Sequence, residues 1–287
     1  MAKTYAILGS GMQGTCAAYD LALHGGAEHL RMGDISLEQA QRSADRINRL
    51  VGRNLAEPFH VDALNPNSLR PFLEPATTVL SCVPYWMHPH IAPVAIATHT
   101  HMIDLGGETA VGLESLGFHQ ECVEAGVSIV PDCGLAPGLV NDLGSYMMEH
   151  LDVTESIRLY CGGLPQSPKP PLNYKLVFNI EGLVAEYDDD SDIIRDGKLQ
   201  KIETLTEIEP IHIEGVGDME AFHTSGGAST MPFTLEGRVK TYEYKTIRFP
   251  GHAQIMKVFK DFGFWGKEQV HVKSGSAAPL DLFIELI

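Results

Sequence analysis

The stretch Tyr5-Ala6-Ile7-Leu8-Gly9-Ser10-Gly11-Met12-Gln13-Gly14 decides the reading of the N-terminal half. An apolar run stops at a G-x-G-x-x-G loop, and apolar residues at helical spacing (Met12, Cys16, Ala17, Tyr19, Leu21 and Leu23) follow over residues 12–24. Gly9 permits the tight turn, Gly11 lets the backbone approach a pyrophosphate, and Gly14 lets the helix pack on the strand. The start of the helix offers free N–H groups and partial positive charge to phosphates. Asp34 stands twenty residues beyond Gly14, at the end of a second strand read at His29–Met32. A carboxylate there accepts hydrogen bonds from a ribose diol and repels a 2′-phosphate, so NAD is expected rather than NADP. The expected cofactor contacts are Gly9, Ser10, Gly11, Met12, Gln13, Gly14 and Asp34.

Outward from the loop, strands and helices alternate. Ser36 reads as an N-cap, with Leu37, Ala40, Ala44, Ile47 and Leu50 at helical spacing. Strands are expected at Phe59–Asp62, Thr77–Val83, Met102–Asp104 and Val127–Val130, and helices at Ile91–Ala97 and Leu113–Ala125. Such alternation means βαβ units and a parallel sheet. The fold class is therefore α/β, a Rossmann dinucleotide-binding domain over residues 1–135. A substrate-binding and dimerisation domain is expected over 136–287. Ligands of such sheets bind at the carboxyl ends of strands. Cys82, Val83 and Pro84 thus join the expected cofactor contacts, and the loops at Asp104–Glu108 and Pro131–Gly134 border the same edge.

Beyond residue 150 the pattern becomes mixed. Strands are expected at Ser156–Tyr160, Lys175–Ile180, Pro210–Ile213, Val239–Tyr244 and Thr246–Phe249, and a helix at Ala253–Phe262. Asp196-Gly197 between apolar runs reads as a hairpin turn. The second domain is expected to be α+β with a mixed or antiparallel sheet.

Composition excludes several classes. Hydrophobic residues are 44% and charged residues 20%, ordinary for a globular chain. Lys+Arg 21 against Asp+Glu 37 leaves −16, which disfavours nucleic acid as a partner. No run of about 18 apolar residues marks a membrane span. No secretory signal is legible, and five cysteines without a CxxC pair read as buried free thiols, so a cytoplasmic setting is expected. Asp188–Asp192 reads as a solvated turn, lacking the ligand spacing of a calcium loop. His88, His90, His99 and His101 read as solvated residues at helix ends, and no metal site is expected.

Longer motifs carry a family resemblance. Pro131–Asn141, Asp104-Leu105-Gly106-Gly107, Tyr160–Pro165, Pro170–Tyr174, Phe178–Gly182, Glu220–Gly227, Tyr244–Arg248 and Gly251-His252-Ala253 together resemble the saccharopine dehydrogenase-like superfamily, closest to its lysine 6-dehydrogenase branch. Relative to that family the C-terminal tail reads as short. The resemblance implies NAD-dependent oxidation of the 6-amino group of L-lysine to 2-aminoadipate 6-semialdehyde, which cyclises. It also implies a small amino-acid or amine substrate and a homodimer. Sister branches that act on saccharopine or carboxynorspermidine, and a dinucleotide sensor without turnover, remain alternatives.

That chemistry needs a deprotonated amine, a cation for the substrate carboxylate and acceptors for the 2-amino group. Arg248 suits the carboxylate bidentately, with Lys245 the less specific choice. His223 is a candidate base or hydrogen-bond partner, in a segment too polar and Gly-rich for a plain strand, with Thr224 beside it. Asp132 is the second catalytic candidate. Asp104 is placed on the substrate ammonium, Tyr174 is a weaker substrate contact, and His252 is weaker still.

Overall fold

The computed structural model describes residues 3–175, 180–273 and 275–286. The chain divides into two units, Met1–Gly134 and Leu135–Ile287. The first begins with β1 (Thr4–Leu8), α1 (Met12–Leu23), β2 (His29–Asp34), α2 (Leu37–Val51) and β3 (Ala56–His60). It continues with α3 (Pro66–Leu73), β4 (Thr78–Ser81), α4 (His88–Ala97), β5 (His101–Asp104), α5 (Thr109–Leu116), α6 (His119–Ala125) and β6 (Ile129–Val130). Its six strands pair in parallel in the order β3-β2-β1-β4-β5-β6, the Rossmann order.

The sequence accounts for this unit strand by strand. Ala6, Ile7 and Leu8 are buried on both faces of β1, as the middle of a parallel sheet requires. Ile7 packs with Ala18, Met32, Ala44 and Ile47 on one side, and Leu8 with Leu69, Val79 and Ile91 on the other. Ser36 caps α2, its hydroxyl accepting the Gln39 N–H, and Gly52 closes that helix in the left-handed region. A cap of this kind contributes about 1 kcal/mol.

The second unit starts with α7 (Leu139–Glu149), β7 (Ser156–Cys161), α8 (Ile180–Asp188), β8 (Ser191–Arg195) and β9 (Lys198–Ile202). Then come β10 (Glu209–Ile213), β11 (Gly217–His223), α9 (Met231–Leu235), β12 (Thr241–Arg248) and α10 (His252–Asp261). A small hairpin, β13 (Val270–Val272) with β14 (Gly275–Ala277), precedes α11 (Pro279–Leu286). The main sheet runs β10-β11-β12-β8-β9, with β7 also on β12. Only the β7–β12 pairing is parallel, so the sheet is mixed. Asp196 and Gly197, both at positive φ, turn β8 into β9 as expected.

Several expectations are corrected. The helix at Leu113–Ala125 is two helices, α5 ending at Leu116 and α6 starting at His119, with Gly117 as the C-cap of the first. Val239–Tyr244 and Thr246–Phe249 are one strand, β12, since Lys245 finds a backbone acceptor and does not break it. The strand expected at Lys175–Ile180 falls on residues 176–179, outside the described residues, and Ile180 begins α8. The acidic run is a turn only at Asp189-Asp190, as Asp188 ends α8 and buried Ser191 starts β8. Of the cysteines only Cys122 is buried, while Cys16 and Cys133 are exposed. His88 is 2% exposed rather than solvated. Among the described residues no helix is long and apolar enough to cross a membrane.

Candidate functional site

In the first unit the glycine loop forms a cradle with one open position. The Gly9 N–H donates to the Gly33 carbonyl (2.8 Å), and its φ of +95° is closed to most side chains. A Cβ at Gly9 would stand 2.8 Å from the Cys82 carbonyl oxygen, and one at Gly14 1.9 Å from the Gly9 carbonyl oxygen. A Cβ at Gly11 would meet nothing within 4 Å. Gly9 and Gly14 therefore serve packing, whereas Gly11 faces open space. No side chain caps α1, and Met12 and Gln13 are exposed beside its free N–H groups. These features fit a dinucleotide pyrophosphate.

Asp34 is half-buried and ties the cradle together. Its Oδ2 accepts the Ser10 N–H and its Oδ1 the Ser36 N–H, both at 2.9 Å. Ser10 is fully buried: its hydroxyl points onto the Gly33 carbonyl and its own carbonyl accepts from Gln39 Nε2, so this expected contact shapes the loop from within. Cys82, Val83 and Pro84 follow β4 beside the loop. Burial pushes the Cys82 thiol up to about 12, so it stays neutral.

Asp104 and Asp132 lie at the ends of β5 and β6. The Asp104 carboxylate is 1% exposed, and its Oδ1 accepts the N–H groups of Gly106 (2.8 Å) and Asp132 (3.0 Å). Asp104, expected on a substrate ammonium, has its side chain turned into the unit, where Oδ1 holds loop backbone. Asp132 is half-buried at a φ of +62°.

In the second unit, strand alternation sorts the candidates. Successive side chains of a strand project to opposite faces. Register pairs Glu220 with Arg248, Phe222 with Thr246, and His223 with Lys245. Thr246 and Arg248 thus share one face, and His223 and Lys245 share the other. The predicted constellation is divided by the sheet.

On the second of these faces His223 is fully buried. Its Nε2 lies 3.3 Å from Glu207 Oε2, and burial with the nearby Lys245 charge lowers its pKa. Lys245 donates to the Glu207 carbonyl (2.9 Å) and lies 3.4 Å from Glu209 Oε1. Arg195 pairs with both Glu207 and Glu243 and closes the network. Glu207 is held well down, to about 2, chiefly by its hydrogen bond from Arg195.

On the first face Arg248, 4% exposed, forms the centre of a polar nest. Its Nε donates to the Tyr187 hydroxyl (3.1 Å) and Nη1 to the Ile247 carbonyl (3.1 Å), while Nη2 lies 3.5 Å from Glu186 Oε2. The Tyr174 ring stands 4.8 Å from the guanidinium carbon. His252 Nδ1 faces the Leu172 carbonyl and its Nε2 the Tyr187 hydroxyl (3.0 Å). With Nδ1 as the donor, Tyr187 donates to His252 Nε2 and accepts from Arg248, which satisfies both groups. Burial lowers the His252 pKa to about 4, so the ring is neutral. Thr224 is buried with its hydroxyl 2.7 Å from that of Thr246.

The nest also contains unsatisfied groups. The Tyr174 hydroxyl and Glu186 Oε2 are closed to solvent and make no hydrogen bond among the described residues. The Glu186 side chain as a whole is 27% exposed. Burial raises its carboxyl to about 7 against the opposing pull of Arg248. Buried groups of this kind without a hydrogen-bond partner point to a ligand site.

Sequence reasoning missed Glu186, Tyr187 and Glu207. The helix that carries the first two was not foreseen, and Glu186 stood out from its acidic neighbours by no spacing. Among the described residues no group of three or more His, Cys, Asp or Glu is placed to hold a metal.

The saccharopine dehydrogenase NADP binding domain profile matches residues 5–130, and the saccharopine dehydrogenase C-terminal domain profile matches residues 134–287. The chain belongs to the saccharopine dehydrogenase family. The α-aminoadipic semialdehyde synthase of Arabidopsis thaliana is 24% identical over 260 residues, covering 86% of this chain and 23% of that protein. The saccharopine dehydrogenase [NADP(+), L-glutamate-forming] of Saccharomyces cerevisiae is 25% identical over 275 residues, covering 92% of this chain and 58% of the relative. The apo structure of saccharopine dehydrogenase (L-Glu forming) from the same yeast superposes with a TM-score of 0.71 at 21% identity, over 93% of this chain and 60% of that one. The fold is therefore shared, and the chain spans at most about three fifths of the length of these relatives.

Proposed function

We propose that this family member is a NAD-dependent dehydrogenase that oxidises the 6-amino group of L-lysine to an imine, which one water converts to 2-aminoadipate 6-semialdehyde and ammonia. The observation that carries an amino-acid substrate is the nest: a buried guanidinium 3.5 Å from a carboxyl poised near neutrality. That pair complements the carboxylate and ammonium of an amino acid. Arg248 binds the carboxylate, Glu186 accepts from the 2-ammonium, and the Tyr174 hydroxyl supplies a further hydrogen bond. Water exclusion around these groups strengthens each contact.

The dinucleotide, held by Gly9–Gly14 and Asp34, supplies the hydride acceptor. Asp34 supports NAD, because its carboxylate opposes a second negative charge at the ribose.

Saccharopine-type secondary amines are the second reading, favoured by the names of the relatives. Such substrates carry more carboxylates and need more cations. Lys245 and Lys260 are engaged, on the carbonyls of Glu207, Tyr187 and Asp188, which favours lysine.

The test is NADH or NADPH formation at 340 nm with L-lysine, L-ornithine, saccharopine and a diamine at about pH 9–10, where more amine is neutral. Turnover of lysine with NAD alone is expected. Turnover of saccharopine alone would move the protein to the second reading. Dinucleotide binding with no turnover of any of these would favour a sensor.

A further inference from the structure

A buried carboxylate is costly unless it is hydrogen-bonded, and Asp104 spends its bonds entirely on loop backbone. Its Oδ1 receives the N–H of Gly106, in the loop after β5, and of Asp132, in the loop after β6. Its own carbonyl receives the Cys133 N–H at 2.7 Å. The imidazole Nδ1 of His88, at the start of α4 and directly after the β4 loop, lies 3.5 Å from the same Oδ1. A Cβ on Gly107 would meet the Tyr85 ring at 3.1 Å, so the loops after β4 and β5 also pack on each other. His88 Nε2, Asp104 Oδ2 and Ser81 Oγ are closed to solvent and have no hydrogen-bond partner among the described residues. Packing alone does not call for two ionisable side chains here.

These loops leave the carboxyl ends of β4, β5 and β6, the edge at which open α/β sheets bind ligands. We propose that Asp104, together with His88, is a positioning residue that sets the loops after β4, β5 and β6 for the nicotinamide half of the dinucleotide. This rests on the cofactor reading above. The adenosine half is held separately, by the glycine loop and Asp34, so the two halves of the ligand report on different residues.

The test compares NADH with AMP, which carries only the adenosine half, by equilibrium binding to the intact protein. In Asp104→Ala the NADH Kd rises about tenfold, the scale expected when a contact surface shifts by a fraction of an ångström. The AMP Kd changes by less than about twofold, since the glycine loop and Asp34 are untouched. Hydrogen exchange accelerates at residues 105–108 and 131–134. Asp104→Asn retains an acceptor oxygen and restores NADH binding to within about threefold. Unchanged NADH affinity in Asp104→Ala overturns the proposal, and so does an equal loss of both ligands. If that variant does not fold, His88→Asn carries the test: selective weakening of NADH supports the proposal and no change overturns it. Wild-type protein that binds neither ligand overturns the cofactor reading and this inference together. Wild-type binding with unaffected variants overturns the inference alone.

Discussion

His223 and Arg248 project from opposite faces of one sheet, although they come from neighbouring strands. The register that pairs Glu220 with Arg248 also pairs His223 with Lys245, and side chains alternate along each strand. A candidate base and a candidate carboxylate anchor that read as one constellation in the sequence are thus separated by backbone. Arg248 sits with Glu186, Tyr187 and Tyr174, and His223 with Glu207.

Substitutions on the two faces should therefore differ in kind. Arg248→Lys keeps the charge but loses the fork, and KM for L-lysine is expected to rise by more than about tenfold. His223→Asn is expected to lower stability by about 1–2 kcal/mol through its lost Glu207 contact while KM stays within about twofold. Steady-state kinetics and denaturant unfolding on both variants check this. A large KM change in His223→Asn with Arg248→Lys unaffected would reverse the assignment of faces.

Glu186 gives the protein a pH dependence of definite sign. Its folded pKa, about 7, lies above the ordinary value of 4.5 because burial disfavours the charge. The folded state therefore binds its proton more tightly than the unfolded chain does. The stability linked to this group is fully present below about pH 4.5 and is lost as pH rises to about 7. Glu186→Gln removes the titration. Its stability relative to wild type should climb between pH 5 and pH 7.5 and then level off. A flat difference across that range would show that Glu186 titrates normally.

The glycine loop separates folding from binding. Gly14→Ala drives a Cβ to 1.9 Å from the Gly9 carbonyl oxygen and forces α1 away from β1, so a loss of several kcal/mol is expected. Gly11→Ala meets nothing within 4 Å and should fold with unchanged stability. Its methyl nevertheless occupies the space a pyrophosphate needs, so NADH affinity should fall by more than about tenfold. Thermal unfolding and NADH titration of both variants test the pair. Normal NADH binding by Gly11→Ala would remove the loop from the cofactor site.

How much was legible follows from what each feature depends on. The Rossmann unit follows local rules: buried strands read as apolar runs, Ser36 is a cap three residues before its donor, and the glycines fall where a Cβ would collide. The second unit depends on register. Nothing local shows that Lys245 points away from Arg248, because a side chain's face is fixed only once β12 pairs with β11. Arg248 was visible as a residue, but its partners Glu186 and Tyr187 come from α8, more than sixty positions away, in a segment whose helix was not foreseen. His88 looked like a solvated helix end until α4 and β5 placed it against Asp104.

In the proposed function Asp34 selects the cofactor, and its carboxylate also holds the loop. Its two oxygens accept from Ser10 and Ser36, so removing the whole side chain would confound repulsion with collapse. Asp34→Asn separates the two. The amide removes the negative charge that opposes a 2′-phosphate and keeps one of the two acceptors, at the cost of one loop hydrogen bond, whose loss the unfolding midpoint reads separately. A charge pair at about 4 Å in surface-like surroundings amounts to a few kcal/mol before screening. The ratio of NADPH to NADH affinity should thus rise by about tenfold or more, while the lost loop hydrogen bond lowers stability by about 1–3 kcal/mol without favouring either cofactor. Parallel fluorescence titrations of both cofactors against wild type and variant give that ratio directly. If wild type already prefers NADPH and Asp34→Asn leaves the ratio unchanged, the Asp34 carboxylate does not face the ribose, and its place is with the Ser10 and Ser36 backbone alone.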